Sequence, residues 1–255
     1  MLLSVLFLMT AALYATVGFG GGSTYTALLA LAETDYRILP VLSLICNIIV
    51  VSGGVYRFAR AHHFDLRQAL PWTVISVPMA WLGGYLHISE KLFIGVLGLS
   101  LLGAGFLVLM QKQGEPHNNG ARRAARYNVL MPVAAGGGLG FVSGITGIGG
   151  GIFLAPVLYL LRWDSPRMIS GTCSFFILVN SLAGLTGQFM KLESPQDIYE
   201  SLLSFWMLFP AVLIGGQLGS YMGAMRLDQR YIRIMTALLM LYVAIRLLWR
   251  WWGMD

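Results

Sequence analysis

The sequence predicts an all-α polytopic membrane protein built from two pseudo-symmetric halves. The chain is 57% hydrophobic and only 11% charged, whereas globular domains carry about 25% charged residues. Its apolar residues form eight long blocks, and six of these have the roughly 17–25 residues that one spanning helix needs. A glycine cluster in the first block returns 129 residues later in the fifth block. Composition, block length and repetition therefore predict the same fold class.

The apolar blocks define the expected helices. They cover residues 2–31, 38–56, 68–87, 91–110, 128–161, 168–190, 201–224 and 231–252. The first and fifth blocks exceed one span, so each is expected to form two short segments around a central break, and each of the others one spanning helix. Residues 111–127 are rich in Gly, Asn, Arg and Lys and indicate a linker. We expect one transmembrane domain over 1–255, with repeat 1 at 1–110 and repeat 2 at 128–255.

The paired glycine clusters predict where helices break. Residues 17–22 (VGFGGG) are echoed by residues 146–151 (TGIGGG). Each glycine costs roughly 1 kcal/mol in a helix interior, and interrupted backbone is stable in lipid only where it is buried in protein or lines a polar cavity. Paired interruptions are typical of a transporter's central binding site. The alternative is that glycines only allow close helix packing, the role we assign to Gly215, Gly219 and Gly223.

The positive charges favour halves that are inverted relative to each other. Suppose each long block enters and leaves the membrane on one side. Twelve of the 17 lysines and arginines then share a side, which the positive-inside rule assigns to the cytoplasm. The other five are Arg37, Lys91, Lys191, Arg246 and Arg250. If each long block crosses once, the bias nearly disappears. The arrangement in which each long block enters and leaves on one side gives each half an odd number of crossings. The two halves are then inverted repeats.

These segments resemble the sulfite exporter TauE/SafE family. The resemblance rests on residues 18–22, on residues 147–151 followed by Pro156, and on Gly171-Thr172 leading to Asn180, and it covers essentially the whole chain. It implies a multi-pass transporter that moves small sulfur-containing anions, such as sulfite or organosulfonates, across the bacterial inner membrane, with export favoured. One departure is Ala27, which stands at the position matching Pro156 and makes the halves unequal.

The chemistry of a helix start supports an anion without any charged side chain. A helix that begins just after a glycine break points unpaired N–H groups and its positive dipole end at the break, and this arrangement binds oxyanions. The expected substrate-binding residues are Gly20, Gly21, Gly22, Ser23, Thr24, Asn47, Gly149, Gly150, Gly151, Ile152, Thr172 and Asn180. Because Ile152 stands at the position of Ser23, the first half is expected to supply more side-chain polarity.

Polar side chains inside the apolar blocks have two interpretations. Asn47 and Asn180 either face the breaks and donate N–H to the substrate, or form ordinary interhelical hydrogen bonds. The same alternative applies to Thr172, Ser174 and Gln188. A buried amide without partners costs several kcal/mol, so either interpretation requires a neighbour for each of them.

Other function classes lack their characteristic residues. The Asp and Glu residues lie in loops or at block ends, so no proton relay through an intramembrane carboxylate is expected. The sequence contains neither HExxH nor GxSxG, and no enzyme activity is predicted. His62 and His63 have no further ligands at metal-binding spacing, so neither a metal nor a cofactor is predicted. Cys46 and Cys173 are expected to be small packing residues.

The expected partners are a small anionic substrate and the lipid bilayer, without nucleic acid. Self-association into a homo-oligomer stays open. A non-transporting membrane scaffold is the competing class, although a scaffold has no need for paired helix breaks. Within transport, an uptake permease or a channel for another small anion is the alternative. The sequence leaves the substrate anion, the coupling ion and the direction open.

Overall fold

The chain is all-helical in the computed structural model, which describes residues 2–16, 18–110, 130–161, 163–191, 202–222 and 229–253. No strand occurs within these ranges. The helices are α1 (Leu2–Ala15), α2 (Gly22–Leu31), α3 (Leu39–Arg60), α4 (Leu66–Thr73), α5 (Ser76–Tyr85), α6 (Glu90–Met110), α7 (Leu130–Thr146), α8 (Gly151–Leu160), α9 (Pro166–Lys191), α10 (Leu208–Met222) and α11 (Gln229–Trp252). The all-α prediction is confirmed.

The exterior and the long helices are those of a membrane protein. α3, α6 and residues Arg167–Lys191 of α9 are long and apolar enough to cross a membrane. Large apolar side chains cover much of the surface, and Leu99, Phe106 and Trp249 are each more than half exposed. Contiguous apolar surface of this kind marks contact with lipid or another protein.

The two long blocks each form a pair of short helices, as predicted. α2 and α8 both contain ten residues, and their starts are separated by the repeat offset. Gly21 and Gly150, the residues immediately before them, have φ values of 85° and 74°. This left-handed conformation costs an L-residue roughly 1–2 kcal/mol, so glycine allows both helices to begin where they do.

The third block differs from its prediction. One spanning helix is expected over 68–87, but the structure has two helices, α4 and α5, separated at Val74 and Ile75. The physical reason is Pro78, which has no N–H to donate and whose ring clashes with the carbonyl four residues earlier, that of Val74. The predicted linker at 111–127 and part of the seventh block lie outside the described residues.

Matching helices of the two halves make matching contacts. α3 packs against α9 and α6 packs against α11, so each pair joins a helix to its counterpart. α1 packs on α10 of the second half, and α7 packs on α5 of the first half. The first helix of each half therefore packs against a helix of the other half.

The two counterpart pairs run antiparallel. A Cβ on Gly54 of α3 would lie 3.6 Å from Ser174 Oγ of α9, and a Cβ on Gly184 would lie 3.5 Å from Leu44. Residue numbers therefore rise along α3 while they fall along α9. In the second pair, Gly95 faces Trp251 and Gly105 faces Leu241, so α6 and α11 also run antiparallel.

Glycine stripes bring the remaining pairs close together. A Cβ on Gly215 or Gly219 of α10 would overlap the carbonyl oxygens of Leu8 and Ala12 in α1. The packing role predicted for these two glycines is confirmed, and Gly223 lies outside the described residues. Along α7, the same relation joins three glycines in order to three residues of α4 and α5. The pairs are Gly136 with Trp72, Gly140 with Ser76 and Gly144 with Ala80.

Candidate functional site

The two glycine breaks meet inside the protein. Gly18, the residues from Gly20 to Gly22 and the whole of 147–151 are buried. A Cβ on Gly22 would overlap the carbonyl oxygen of Ile148, so the start of α2 lies directly against the second break. Two segments that are distant in the sequence are thus in contact, and the candidate site is the region around them.

Asn47 of α3 lies between the two breaks. Its side chain is fully buried, and Nδ2 donates to the carbonyl oxygens of Ile148 at 3.2 Å and Gly147 at 3.5 Å. On the other side, Oδ1 faces Gly20 and Gly22 and accepts no hydrogen bond. The structure therefore brings Asn47 beside both breaks, and its donor groups are already bonded to protein carbonyls.

A serine on each long helix binds the break of the other half. Ser43 Oγ of α3 donates to the carbonyl of Gly147 at 2.9 Å and lies 3.2 Å from the carbonyl oxygen of Gly22. Ser174 Oγ of α9 donates to the carbonyl of Gly18. Gly18 and Gly147 are separated by the repeat offset and both have positive φ, 81° and 74°. The two anchoring bonds are therefore reciprocal.

The backbone N–H groups of both breaks are without acceptors. Phe19 N–H donates to Tyr14 and Gly147 N–H to Ser143, and the next bonded N–H groups are those of Thr24 and Phe153. In the described part of the chain, the N–H groups of residues 20–23 and 148–152 bond to nothing. Clustered N–H donors at a helix start form an anion-binding concavity. These are the groups that the sequence predicts, at Gly20–Ser23 and Gly149–Ile152.

The hydroxyl groups of the predicted site have different environments. Thr24 Oγ1 pairs with the hydroxyl of Tyr14 at 3.0 Å. Ser23 is buried at the start of α2. Thr172 of α9 is fully buried and its Oγ1 has no partner. Each therefore lies in the protein interior, and their contact with a substrate stays a prediction.

Two predicted amides form interhelical bonds. Asn180 Oδ1 accepts from Ser76 Oγ of α5, and its Nδ2 donates to the carbonyl of Phe176 at 2.8 Å. Gln188 Nε2 donates to the carbonyl of Gly144 on α7 at 2.9 Å. These bonds match the packing interpretation of both side chains, and the hydrogen bonds of Asn180 reach α5 and its own helix rather than either break.

The electrostatics of the site come from dipoles rather than from charged side chains. Among the described residues, no Asp, Glu, Lys or Arg is buried. Charged groups pair near the surface instead, as Arg246 does with Glu33 at 3.7 Å and Arg250 with Glu90 at 2.9 Å. Within the same ranges, no three His, Cys, Asp or Glu side chains form a group that could hold a metal ion.

Comparison with known proteins decides the family. The family model described as Sulfite exporter TauE/SafE matches residues 2–247. The chain belongs to this family. The "Probable membrane transporter protein y4hK" of Sinorhizobium fredii is 30% identical to it over 258 residues, with 97% of both chains covered. The "Probable membrane transporter protein YunE" of Bacillus subtilis is 20% identical over 263 residues, with 94% of both covered. No solved structure matches.

The TauE/SafE resemblance inferred from the glycine motifs is therefore confirmed, and the protein is a membrane transporter of this family. Sequence reasoning did not find Ser43, which bonds to both breaks. It also did not find the buried hydroxyls of Tyr25, Ser143 and Ser181, which have no partner. A polar residue one turn before Asn47 in an apolar helix was the available signal for Ser43.

Proposed function

We propose that this TauE/SafE transporter is a secondary carrier for small sulfur-containing oxyanions, such as sulfite or organosulfonates, in the bacterial inner membrane, with export as its direction. The observation that carries the proposal is the pair of N–H clusters at residues 20–23 and 148–152, which are without acceptors and belong to residues that are buried except for the half-buried Ile152. Buried donors are costly when empty, and a desolvated oxyanion supplies acceptors for several of them at once.

The chemistry of these donors suits transport. Hydrogen bonds from neutral N–H groups to an anion are charge-assisted and short, and the helix dipoles of α2 and α8 add to the attraction. Among the described residues no lysine or arginine is buried, so no permanent ion pair holds the anion there and its release is not prevented. Arg57, bonded to Gln217 Oε1 at 2.7 Å and to Ser220 near the end of α3, attracts anions from the aqueous side.

The two halves are proposed to be inverted repeats in a single multi-pass domain. The antiparallel packing of α3 on α9 supports this, because two equivalent helices that both span the membrane then cross it in opposite directions. The ends of the broken pairs support it as well. The α1–α2 pair leads to Glu33, which lies beside Arg246. The α7–α8 pair leads to the start of α9, where Gly171 lies against the carbonyl of His63.

Charge placement is consistent with the same orientation. Of the five cations assigned to the side away from the cytoplasm, Arg246 and Arg250 pair with Glu33 and Glu90. The carbonyl of Lys191 bonds to His87 Nε2 at 3.1 Å, three residues before Glu90. These contacts support a common end for this group of charges, opposite to the end that carries Arg57 and His63.

Counterflow in proteoliposomes tests the substrate class. Purified protein is reconstituted with internal sulfite, methanesulfonate, thiosulfate, acetate or potassium, and uptake of the radiolabelled external species is followed. Exchange of sulfite or methanesulfonate is expected, with little exchange of carboxylates. Exchange of cations but not anions would overturn the proposal. Anion uptake that internal anion does not accelerate would favour the channel alternative. A scaffold would give no flux of any species.

The helix breaks are tested by Gly21→Leu and Gly150→Leu. A side chain at either position requires an unfavourable positive φ and meets Tyr25 or Phe176 within about 3 Å, so loss of anion transport is expected. Gly138→Leu is the matched control, because Gly138 lies on the exposed face of α7 with nothing within 4 Å. Wild-type flux from correctly inserted Gly21→Leu and Gly150→Leu proteins would exclude the breaks as the site.

A further inference from the structure

Two buried serines flank the second break, and their hydroxyls take no part in the hydrogen bonds described so far. Ser143 lies near the end of α7 and Ser181 lies within α9, and both are fully buried. Neither hydroxyl has a hydrogen-bond partner. Both are thus polar groups removed from solvent without compensation inside the protein.

Their positions point to the break itself. Ser181 Oγ would lie 3.4 Å from a Cβ on Gly149, and the Cβ of Ser143 would lie 3.4 Å from one on Gly150. The N–H groups of these two glycines also lack acceptors. The Ser181 hydroxyl, the Ser143 side chain and the backbone donors of the second break are therefore adjacent, and they come from three separate elements.

Several other helical hydroxyls of the chain behave differently. A serine or threonine inside a helix commonly donates to the carbonyl four residues earlier. Thr26, Thr73 and Thr146 form this bond, and so does Ser174 in α9 itself. Ser143 and Ser181 do not, although each has a helical carbonyl at that spacing. A buried hydroxyl without a hydrogen-bond partner lowers the stability of the protein. A bound ligand that accepts the hydrogen bond of each hydroxyl would supply the missing partner.

The internal repeat also singles out the Ser143 hydroxyl. Ser143 lies 129 residues after Tyr14, so each half carries a hydroxyl one turn before its break. The Tyr14 hydroxyl pairs with Thr24 of α2. In the second half, Ile152 and Phe153 lie in the first turn of α8 and offer no such partner. The hydroxyl that is bonded in the first half is thus open in the second.

We propose that Ser143 and Ser181 determine anion specificity by each donating an O–H hydrogen bond to an oxygen of the oxyanion held by the N–H groups of 148–152. The inference rests on the proposed function. It reverses the expectation that the first half supplies more side-chain polarity, because the hydroxyls of the second half-site come from α7 and α9 instead of from the start of α8.

The test combines affinity with the stability of the empty protein. Ser143→Ala and Ser181→Ala are each expected to raise the sulfite concentration for half-maximal counterflow about tenfold, as expected for loss of a hydrogen bond to a charged group. The Tm of the empty purified protein should stay unchanged or rise, because an unsatisfied group is removed. Ser52→Ala is the matched control, since Ser52 lies 129 residues before Ser181, is exposed and bonds to Ile48.

The outcomes separate this inference from the proposed function. If wild-type protein exchanges sulfite and both alanine variants keep its half-maximal concentration, the inference is wrong and the proposed function stands. A lowered Tm of the empty variants with unchanged sulfite affinity also overturns it, since the hydroxyls then act only in packing. If wild-type protein exchanges no anion of the panel, the proposed function itself fails. Weakened sulfite exchange at an unchanged or raised Tm supports the inference.

Discussion

Single residues make the surroundings of the two glycine breaks unequal. Asn47 lies between the breaks, but the position 129 residues later holds Phe176, whose ring lies against Gly150. One amide therefore serves both breaks, and an aromatic ring closes the matching space in the second half. In the proposed site, two serine hydroxyls donate to the substrate from the second half, whereas the Asn47 amide stays bonded to the carbonyls of the second break. We therefore expect the proposed site to favour one orientation of an asymmetric anion.

Asn47→Leu is predicted to remove both stability and function. The change leaves the carbonyl of Ile148 without its donor and places an apolar side chain against both breaks. An unsatisfied buried group costs about 1–3 kcal/mol, so the Tm should fall, and the stabilisation by sulfite in a thermal-shift assay should disappear.

Gln188→Met provides the matched control for this prediction. It also removes a buried amide that donates to a helix carbonyl, that of Gly144, and it lies near the end of α9. A comparable fall in Tm with preserved stabilisation by sulfite is expected. Preserved stabilisation in Asn47→Leu as well would show that Asn47 acts only as a structural link.

At the scale of helices, two helix backbones approach closely where one helix carries a row of glycines along the contacting face. The carbonyls of α4 and α5 lie so close to α7 that Gly136, Gly140 and Gly144 have no room for a side chain. In lipid, helix association relies on such packing because there is little hydrophobic drive between apolar helices. The α1–α10 contact uses the same device, with the glycines on α10.

Gly140→Ala is predicted to destabilise the protein by about 1–3 kcal/mol, the usual cost of overpacking. The new Cβ would meet the backbone of Ser76, which cannot rotate away. Gly138→Ala, two residues earlier on the open face of α7, should instead stabilise the helix by about 0.5–1 kcal/mol. Thermal unfolding in detergent compares the two. Equal effects would contradict the close approach of α7 to α5.

For the whole molecule, the central prediction is the opposite orientation of the two halves. Glu33 before α3 and Arg167 at the start of α9 occupy similar places in their halves and are both exposed. In inverted repeats, these positions face opposite sides of the membrane. Because Cys46 and Cys173 are buried, cysteines introduced at the two positions can be labelled with low background.

Glu33→Cys is expected to react with a membrane-impermeant maleimide from outside intact cells, and Arg167→Cys only after the inner membrane is opened. Labelling of both from the same side would show parallel repeats and remove the inverted arrangement. His62→Cys serves as the control, because it lies at the other end of α3 from Glu33 and should react like Arg167→Cys.

The sequence by itself determined the features that depend on local physics. Hydrophobic length predicted the spanning helices α3, α6 and α9, since each must satisfy its own backbone in lipid. The glycine clusters predicted both breaks and the starts of α2 and α8, because a left-handed residue is a local requirement. Pro78 also carried a local signal for the split between α4 and α5, although the length of the block favoured one helix.

Only the tertiary structure decided which side chains surround the breaks. Ser43, Ser143 and Ser181 lie at the site because neighbouring helices have particular rotations about their axes, and rotation depends on contacts between distant segments. The same contacts direct Asn180 to Ser76 of α5 and Asn47 to both breaks, although the two amides look alike in the sequence. Local sequence determines where a helix begins and breaks, whereas packing against the other half determines what each helix presents to the site.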